Sequence, residues 1–179
     1  MTERDGPVAV WPAHWCGGAT TPTDAWLLAY DGFDPALEGT REALCTLGNG
    51  YWATRGSVPG STADGAHYPG TYLAGVYNQL SSNIGDRVVH DEHMVNAPDW
   101  TTLTVGPTDA APYRHGSPEM FSCSQQLDLR RGVLTRVSRY RDAAGRTTRV
   151  STRSLVHLAH KHLAVLETTV EAENWSGPI

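Results

Sequence analysis

Along most of the chain after Tyr51, apolar and polar residues alternate with a period of two, which predicts β-strands. The alternation is cleanest toward the C-terminal end. Over residues 146–158, Val150, Thr152, Ser154, Val156 and Leu158 face one way and Arg149, Ser151 and Arg153 the other. Over 162–173, Ala164, Leu166, Val170 and Ala172 turn inward while Glu167, Thr169, Glu171 and Glu173 turn outward. A strand at 133–141 precedes them, and the segment Asp142-Ala-Ala-Gly145 has the length and the glycine of a hairpin loop. Further strands are expected at 26–30, 51–55, 68–78 and 100–105, with a short one at 87–90 inside a long connection over 79–99. Residues 120–129 show no single period. Residues 36–46 read as a short helix or a loop, since Gly39 and Thr40 weaken an otherwise helical turn. Residues 1–25, with Pro7, Pro12 and Pro22, read as an irregular lead-in to one domain over 26–179. The pattern predicts a mainly β, antiparallel fold. In it the strand at 162–173 lies at or near an unprotected edge.

Glycines interrupt this pattern between Leu47 and Asn78 more often than core strands require. Asn49-Gly50 is the dipeptide that best tolerates two consecutive positive φ angles, and it predicts a tight turn into the strand at 51–55. In 68–78, Tyr68, Gly70, Tyr72, Ala74, Val76 and Asn78 share one face and Thr71, Leu73, Gly75 and Tyr77 the other. Aromatic rings on both faces fit a strand buried on both sides, or one whose face meets another domain or a ligand.

Composition narrows the partners. The 179 residues are 40% hydrophobic and 18% charged with a net charge of -5, which argues against disorder and against a nucleic-acid footprint. No apolar run long enough for a secretory signal or a membrane span occurs, so a cytoplasmic chain with no membrane partner is expected. Cys16, Cys45 and Cys123 are odd in number and lack CxxC spacing, which favours reduced thiols over disulfides or a zinc site.

Candidate chemistry is sparse. His90 and His93, and the group His157, His160 and His162, match no metal-ligand motif, so no metal is assigned. Glu38/Glu42, Asp91/Glu92 and Glu171/Glu173 are the carboxylate pairs close in sequence, and each has a simpler reading as a helical face, a polar loop or an outward strand face. No GxSxG elbow, P-loop or GxGxxG is present. What remains is carbohydrate contact: Trp52, Tyr68, Tyr72, Tyr77 and Trp100 offer flat apolar rings, and Arg55, Thr71 and Asn78 offer hydrogen bonds to hydroxyls. The simpler reading of the same rings is that they fill a β-sandwich core.

At these residues the chain resembles a known family. Glu42-Ala-Leu-Cys-Thr-Leu-Gly-Asn-Gly-Tyr51, Thr54-Arg-Gly56, Tyr68-Pro-Gly-Thr-Tyr72-Leu-Ala-Gly-Val-Tyr77-Asn78, Leu127-Asp-Leu129, Gly132-Val-Leu-Thr-Arg136, Arg153-Ser-Leu155 and Glu173-Asn174-Trp-Ser-Gly177 follow one another as in the N-terminal domain of glycoside hydrolase family 65. The resemblance covers roughly residues 26–179. It implies an antiparallel β-sandwich of the galactose-mutarotase-like supersandwich kind, here incomplete at its C-terminal end, followed in the family by an α/α toroid that carries catalysis. It implies an enzyme that cleaves α-linked glucose disaccharides such as trehalose, maltose or kojibiose, by phosphorolysis or hydrolysis, with this span as its non-catalytic N-terminal domain. The implied partners are the disaccharide, the catalytic α/α domain and a second copy in a homodimer. No cofactor is implied, and inorganic phosphate would be a co-substrate of the whole enzyme. No catalytic residue is expected in this span; Arg55, Thr71, Tyr72, Tyr77, Asn78 and Trp100 are the substrate-proximal candidates. A stand-alone carbohydrate-binding sandwich using the aromatic face is the alternative.

Overall fold

The computed structural model describes residues 25–179. The lead-in expected over 1–25, and Cys16 with it, lies outside the described residues except for Ala25. Strand β1 (Leu27–Asp31) is followed by helix α1 (Pro35–Leu44), then by the short strands β2 (Leu47–Gly48), β3 (Trp52–Thr54) and β4 (Thr71–Leu73). A hairpin of β5 (Tyr77–Ile84) and β6 (Arg87–Met94) comes next, then β7 (Met120–Asp128), β8 (Val133–Arg141), β9 (Thr147–Val156) and β10 (Ala164–Ala172).

The strands form an antiparallel five-stranded sheet in the order β1-β7-β8-β9-β10, a three-stranded sheet β2-β3-β4, and the separate β5-β6 hairpin. Strict alternation holds across β8, where Leu134, Arg136, Ser138 and Tyr140 are buried and the residues between them are not. The inner face so defined packs against α1 and the small sheet. Cys45, Leu47, Leu127, Leu134 and Val156 form the core there, with Leu28, Tyr30, Trp52 and Ala164 packed against it. The outer face carries Arg139–Glu173, Arg149–Glu171 and Arg153–Glu167 pairs at 2.7, 3.6 and 2.8 Å. Strand β10 has a partner on one side, β9, so it is an edge strand among the described residues.

Helix α1 resolves the ambiguity at 36–46. Asp34 caps it by accepting from the Ala36 amide at 3.0 Å, and Pro35 occupies the first turn, where its missing N–H costs nothing. Its polarity is inverted: Glu38 and Glu42 are buried, while Leu37 and Leu44 are exposed.

Three expectations are corrected. The strand expected over 68–78 is broken: β4 ends at Leu73, Gly75 takes φ +82, and the chain restarts as β5. The long connection at 79–99 is instead the β5-β6 hairpin, registered from Tyr77↔Met94 to Ile84↔Arg87 and exposed along its whole length. Exposure on both faces removes the apolar alternation by which a strand is recognised. Residues 100–105 have strand composition but no ladder; their backbone bonds are isolated, as in Gly60 N donating to Thr101 O and Tyr113 N to Val105 O. The turn at Asn49-Gly50 forms with a single positive φ, at Gly50. Asn49 earns its place through its side chain, which accepts from the Tyr51 and Trp52 amides and donates to His157 O and Lys161 O, tying the turn to the β9-β10 connection.

Candidate functional site

The inward side of α1 lies over the middle of the five-stranded sheet, and the residues meeting there are polar. Glu42 sits on the helix beneath the loop 57–67. Its Oε1 is 2.9 Å from His67 Nδ1 and its Oε2 accepts from the Tyr68 amide at 2.9 Å. Desolvation alone would raise the Glu42 carboxyl, but the hydrogen bonds from His67 and from the Tyr68 amide outweigh it and hold the group below the usual carboxylate range. The same contact raises His67, with burial opposing it. His67 is placed by Asp64, whose Oδ1 accepts from the amides of Ala66 and His67.

One turn earlier, Glu38 Oε1 accepts from Arg41 Nη1 at 2.9 Å, and Oε2 lies 4.0 Å from His115 Nε2. Phe33 stands edge-on to the His115 ring at 5.2 Å, and the two histidine rings are 5.7 Å apart. Burial pushes His115 down to about 3, helped by the positive charge of His67 and Arg136, so this imidazole is neutral throughout the physiological range. Arg136 rises from the floor of the sheet. Its Nε donates to Gln125 Oε1 at 3.0 Å and its Nη2 to the Gly56 carbonyl. Gly56 must be a glycine, because a Cβ there would fall 2.6 Å from Cys45 Cβ and 2.7 Å from its carbonyl oxygen.

The residues expected near a substrate fall into two groups. Arg55, Thr71, Tyr72 and Trp100 surround β3 and β4. Arg55 Nη2 donates to Gly39 O at 3.1 Å and its guanidinium covers the Tyr68 ring at 5.3 Å. Trp100 Nε1 donates to Thr54 Oγ1, which lies 3.4 Å from the buried Thr71 Oγ1, and the Trp100 ring meets Trp52 edge-on at 5.9 Å. Tyr72 is half-buried on β4. Tyr77 and Asn78 stand apart from these at the root of the hairpin, exposed. Of the weighed histidines, His90 bonds Ser81, His157 accepts from the amides of Ala159 and His160 with the His160 ring 4.7 Å from its own, and His162 packs edge-on to Tyr51 at 4.5 Å. Among the described residues, no group of three His, Cys, Asp or Glu side chains converges as a metal site would require.

No chemical motif or spacing in the sequence marks His67, His115 or Arg136 as site residues. Arg136 carries two other signals in the sequence, its strand parity with Leu134 and Tyr140 and its place in the run Gly132-Val-Leu-Thr-Arg136. The histidines sit in loops, where no period operates.

Comparison with known proteins decides the family. The model of the glycosyl hydrolase family 65 N-terminal domain matches residues 28–179. The chain belongs to this family. An uncharacterized glycosyl hydrolase of Mycobacterium tuberculosis, Rv2006, is 45% identical over 156 residues, covering 87% of the chain and 12% of that protein. Kojibiose phosphorylase of Caldanaerobacter subterraneus subsp. tengcongensis is 28% identical over 155 residues, covering 86% and 19%. A solved structure from human microbiome named for kojibiose phosphorylase shares the fold, with a TM-score of 0.76 at 19% identity over 84% of the chain and 20% of its own. This family 65 chain therefore spans 12 to 20% of the length of these relatives.

Proposed function

We infer that this family 65 chain is the non-catalytic N-terminal sandwich domain of an enzyme that cleaves α-linked glucose disaccharides by phosphorolysis or hydrolysis. The observation that carries this reading is the state of its best-placed carboxylates. Glycoside cleavage needs two carboxyl groups flanking an open substrate site, one of them free to exchange a proton. Glu38 and Glu42 are 3% and 1% exposed and already engaged by Arg41, His67 and the Tyr68 amide. Their pairing serves the fold.

The exposed apolar groups support a role as one part of a larger assembly. Leu37 and Leu44 on α1, and Leu80, Ile84, Val88 and Met94 on the hairpin, are outside the core. On this reading they face neighbouring parts of the enzyme, its α/α domain or a second subunit, and Tyr77 and Asn78 are the candidates best placed for contact at a shared substrate entrance. Trehalose, maltose or kojibiose are the substrates to test, with inorganic phosphate as co-substrate. A cytoplasmic setting fits the free thiols of Cys45 and Cys123. No helix among the described residues is long and apolar enough to cross a membrane. The alternative of a stand-alone carbohydrate-binding module loses support because Trp52 and Trp100 meet edge-on and Tyr77 stands on the separate hairpin, so the rings form no continuous flat platform.

The test is incubation of the chain with each disaccharide, with and without phosphate. No glucose or glucose 1-phosphate above background is expected, and turnover would overturn the reading. A Trp fluorescence titration with the same sugars separates the alternative, which requires saturable binding lost in Tyr72→Ala or Trp100→Ala.

A further inference from the structure

Opposed residues across the inner face form a polar row from strand to strand: Tyr30, Gln125, Arg136, Thr152 and Thr168. A row of this kind is unusual for the core side of a sheet, where apolar residues are the rule. Its far half, from Arg136 to Thr168, floors a cavity of about 330 Å³ roofed by the loops that hold Ser61 and His115. That volume lies at the lower end of the range for small-molecule sites.

Three residues that line it carry a buried polar atom without a hydrogen-bond partner: Ser61 Oγ, His115 Nδ1 and Thr168 Oγ1. The His115 side chain is only 8% exposed. Buried polar atoms are normally satisfied, and three orphans on residues lining one cavity point to a missing occupant. Water could supply hydrogen bonds, but charge demands more. Arg136 is 5% exposed, spends Nε and Nη2 on neutral oxygens, and has no carboxylate within ion-pair distance among the described residues. The nearby carboxylates are taken, Glu38 by Arg41 and Glu42 by His67. Glu38 and Glu42 act on Arg136 only from beyond ion-pair distance, so its guanidinium has no contacting counter-charge, and a neutral ligand leaves the cost of its burial in place.

We propose that this cavity binds an oxyanion, free or carried on a small polar molecule, with Arg136 as the counter-charge and Ser61, His115 and Thr168 as hydrogen-bond partners. Arginine suits the task, since its planar fork matches phosphate and carboxylate oxygens. His115 is neutral here, and its Nδ1–H tautomer gives a hydrogen bond without adding charge. The volume accommodates a body of about monosaccharide size beyond the anionic group. This inference does not depend on the activity proposed above.

Isothermal titration of the chain with inorganic phosphate, glucose 6-phosphate and glucose provides the test. Saturable binding of the phosphate-bearing probes and none of glucose is expected. Tighter binding of glucose 6-phosphate than of phosphate assigns the site to a carried oxyanion, and equal binding to the free ion. Thr168→Val keeps the shape of a side chain that bonds nothing, so it should fold normally and weaken phosphate about tenfold, the loss of one hydrogen bond to a charged group. Arg136→Gln should abolish binding; if that variant does not fold, Thr168→Val and Ser61→Ala carry the test alone. Absence of phosphate binding at millimolar concentration, glucose binding as well as glucose 6-phosphate, or indifference to Thr168→Val and Ser61→Ala would each overturn the proposal.

Discussion

Arg136 and Arg139 lie three residues apart on β8, and the pleat sends them to opposite faces of the same sheet. Arg139 reaches a carboxylate at once, bidentate to Glu173 at 2.9 and 2.7 Å, and rests over the Phe121 ring. Two further Arg–Glu pairs share that outer face. Arg136 is buried, hydrogen-bonded to an amide and a carbonyl, and out of contact with any carboxylate among the described residues. Strand parity thus decides whether a charged residue is a solvated decoration worth little or a buried group whose every neighbour matters. The inner carboxylates follow the same logic: Glu38 and Glu42 resemble an acid–base pair by composition and serve as ties between α1, the loops and the sheet.

The largest effect should come from the inner face. Glu42→Ala leaves His67 without its partner and the Tyr68 amide unsatisfied, and should cost about 3 kcal/mol or more in urea unfolding. A cost below about 1 kcal/mol would erase the difference between the faces.

The second effect is a pH profile with two limbs. His115 is lowered to about 3 in the fold and is ordinary when unfolded, so the unfolded chain takes the extra proton and stability falls as pH drops from 6.5 toward 3. Glu42, held low, adds to this limb, its contribution vanishing as pH falls through its folded value. His67 is raised, so its contribution is complete below pH 6.5 and is lost as pH rises through its folded value. Urea midpoints from pH 4 to 9 should therefore peak near neutrality, and His115→Asn should flatten the acid limb without moving the alkaline one.

The smallest effects belong outside. A double-mutant cycle on Arg139 and Glu173 should give about 0.5–1 kcal/mol, and one on the more exposed Arg153 and Glu167 about 0.3 kcal/mol, both shrinking in added salt. An outer coupling as large as the Glu42 effect would contradict the account.

The contrast also explains what could be read from sequence. Strands β8, β9 and β10, with the hairpin loop at 142–145, were legible because each has one buried and one wet face, and the outward placing of Glu167 and Glu171 follows directly. The β5-β6 hairpin was not, because both of its faces are exposed and nothing imposes a period. Residues 100–105 misled in the other direction, since aromatic and β-branched composition reflects burial as much as pairing. The family was legible in the order of its motifs, from Leu47-Gly-Asn-Gly50 to Glu173-Asn-Trp-Ser-Gly177. The inner cluster was hidden because it assembles Glu42, His67, His115 and Arg136 from a helix, two loops and a strand, with no local spacing to mark it.

The central claim is that the carboxylates of this cluster, Glu38 and Glu42, are closed off and committed to the fold, and histidine side-chain NMR across a pH titration tests it most directly. His67 should titrate above 6.5 and His115 should remain neutral until about pH 3. Both rings titrating together near 6.5 would mean an open, solvated cluster with its carboxylates free for proton transfer, and would contradict the account.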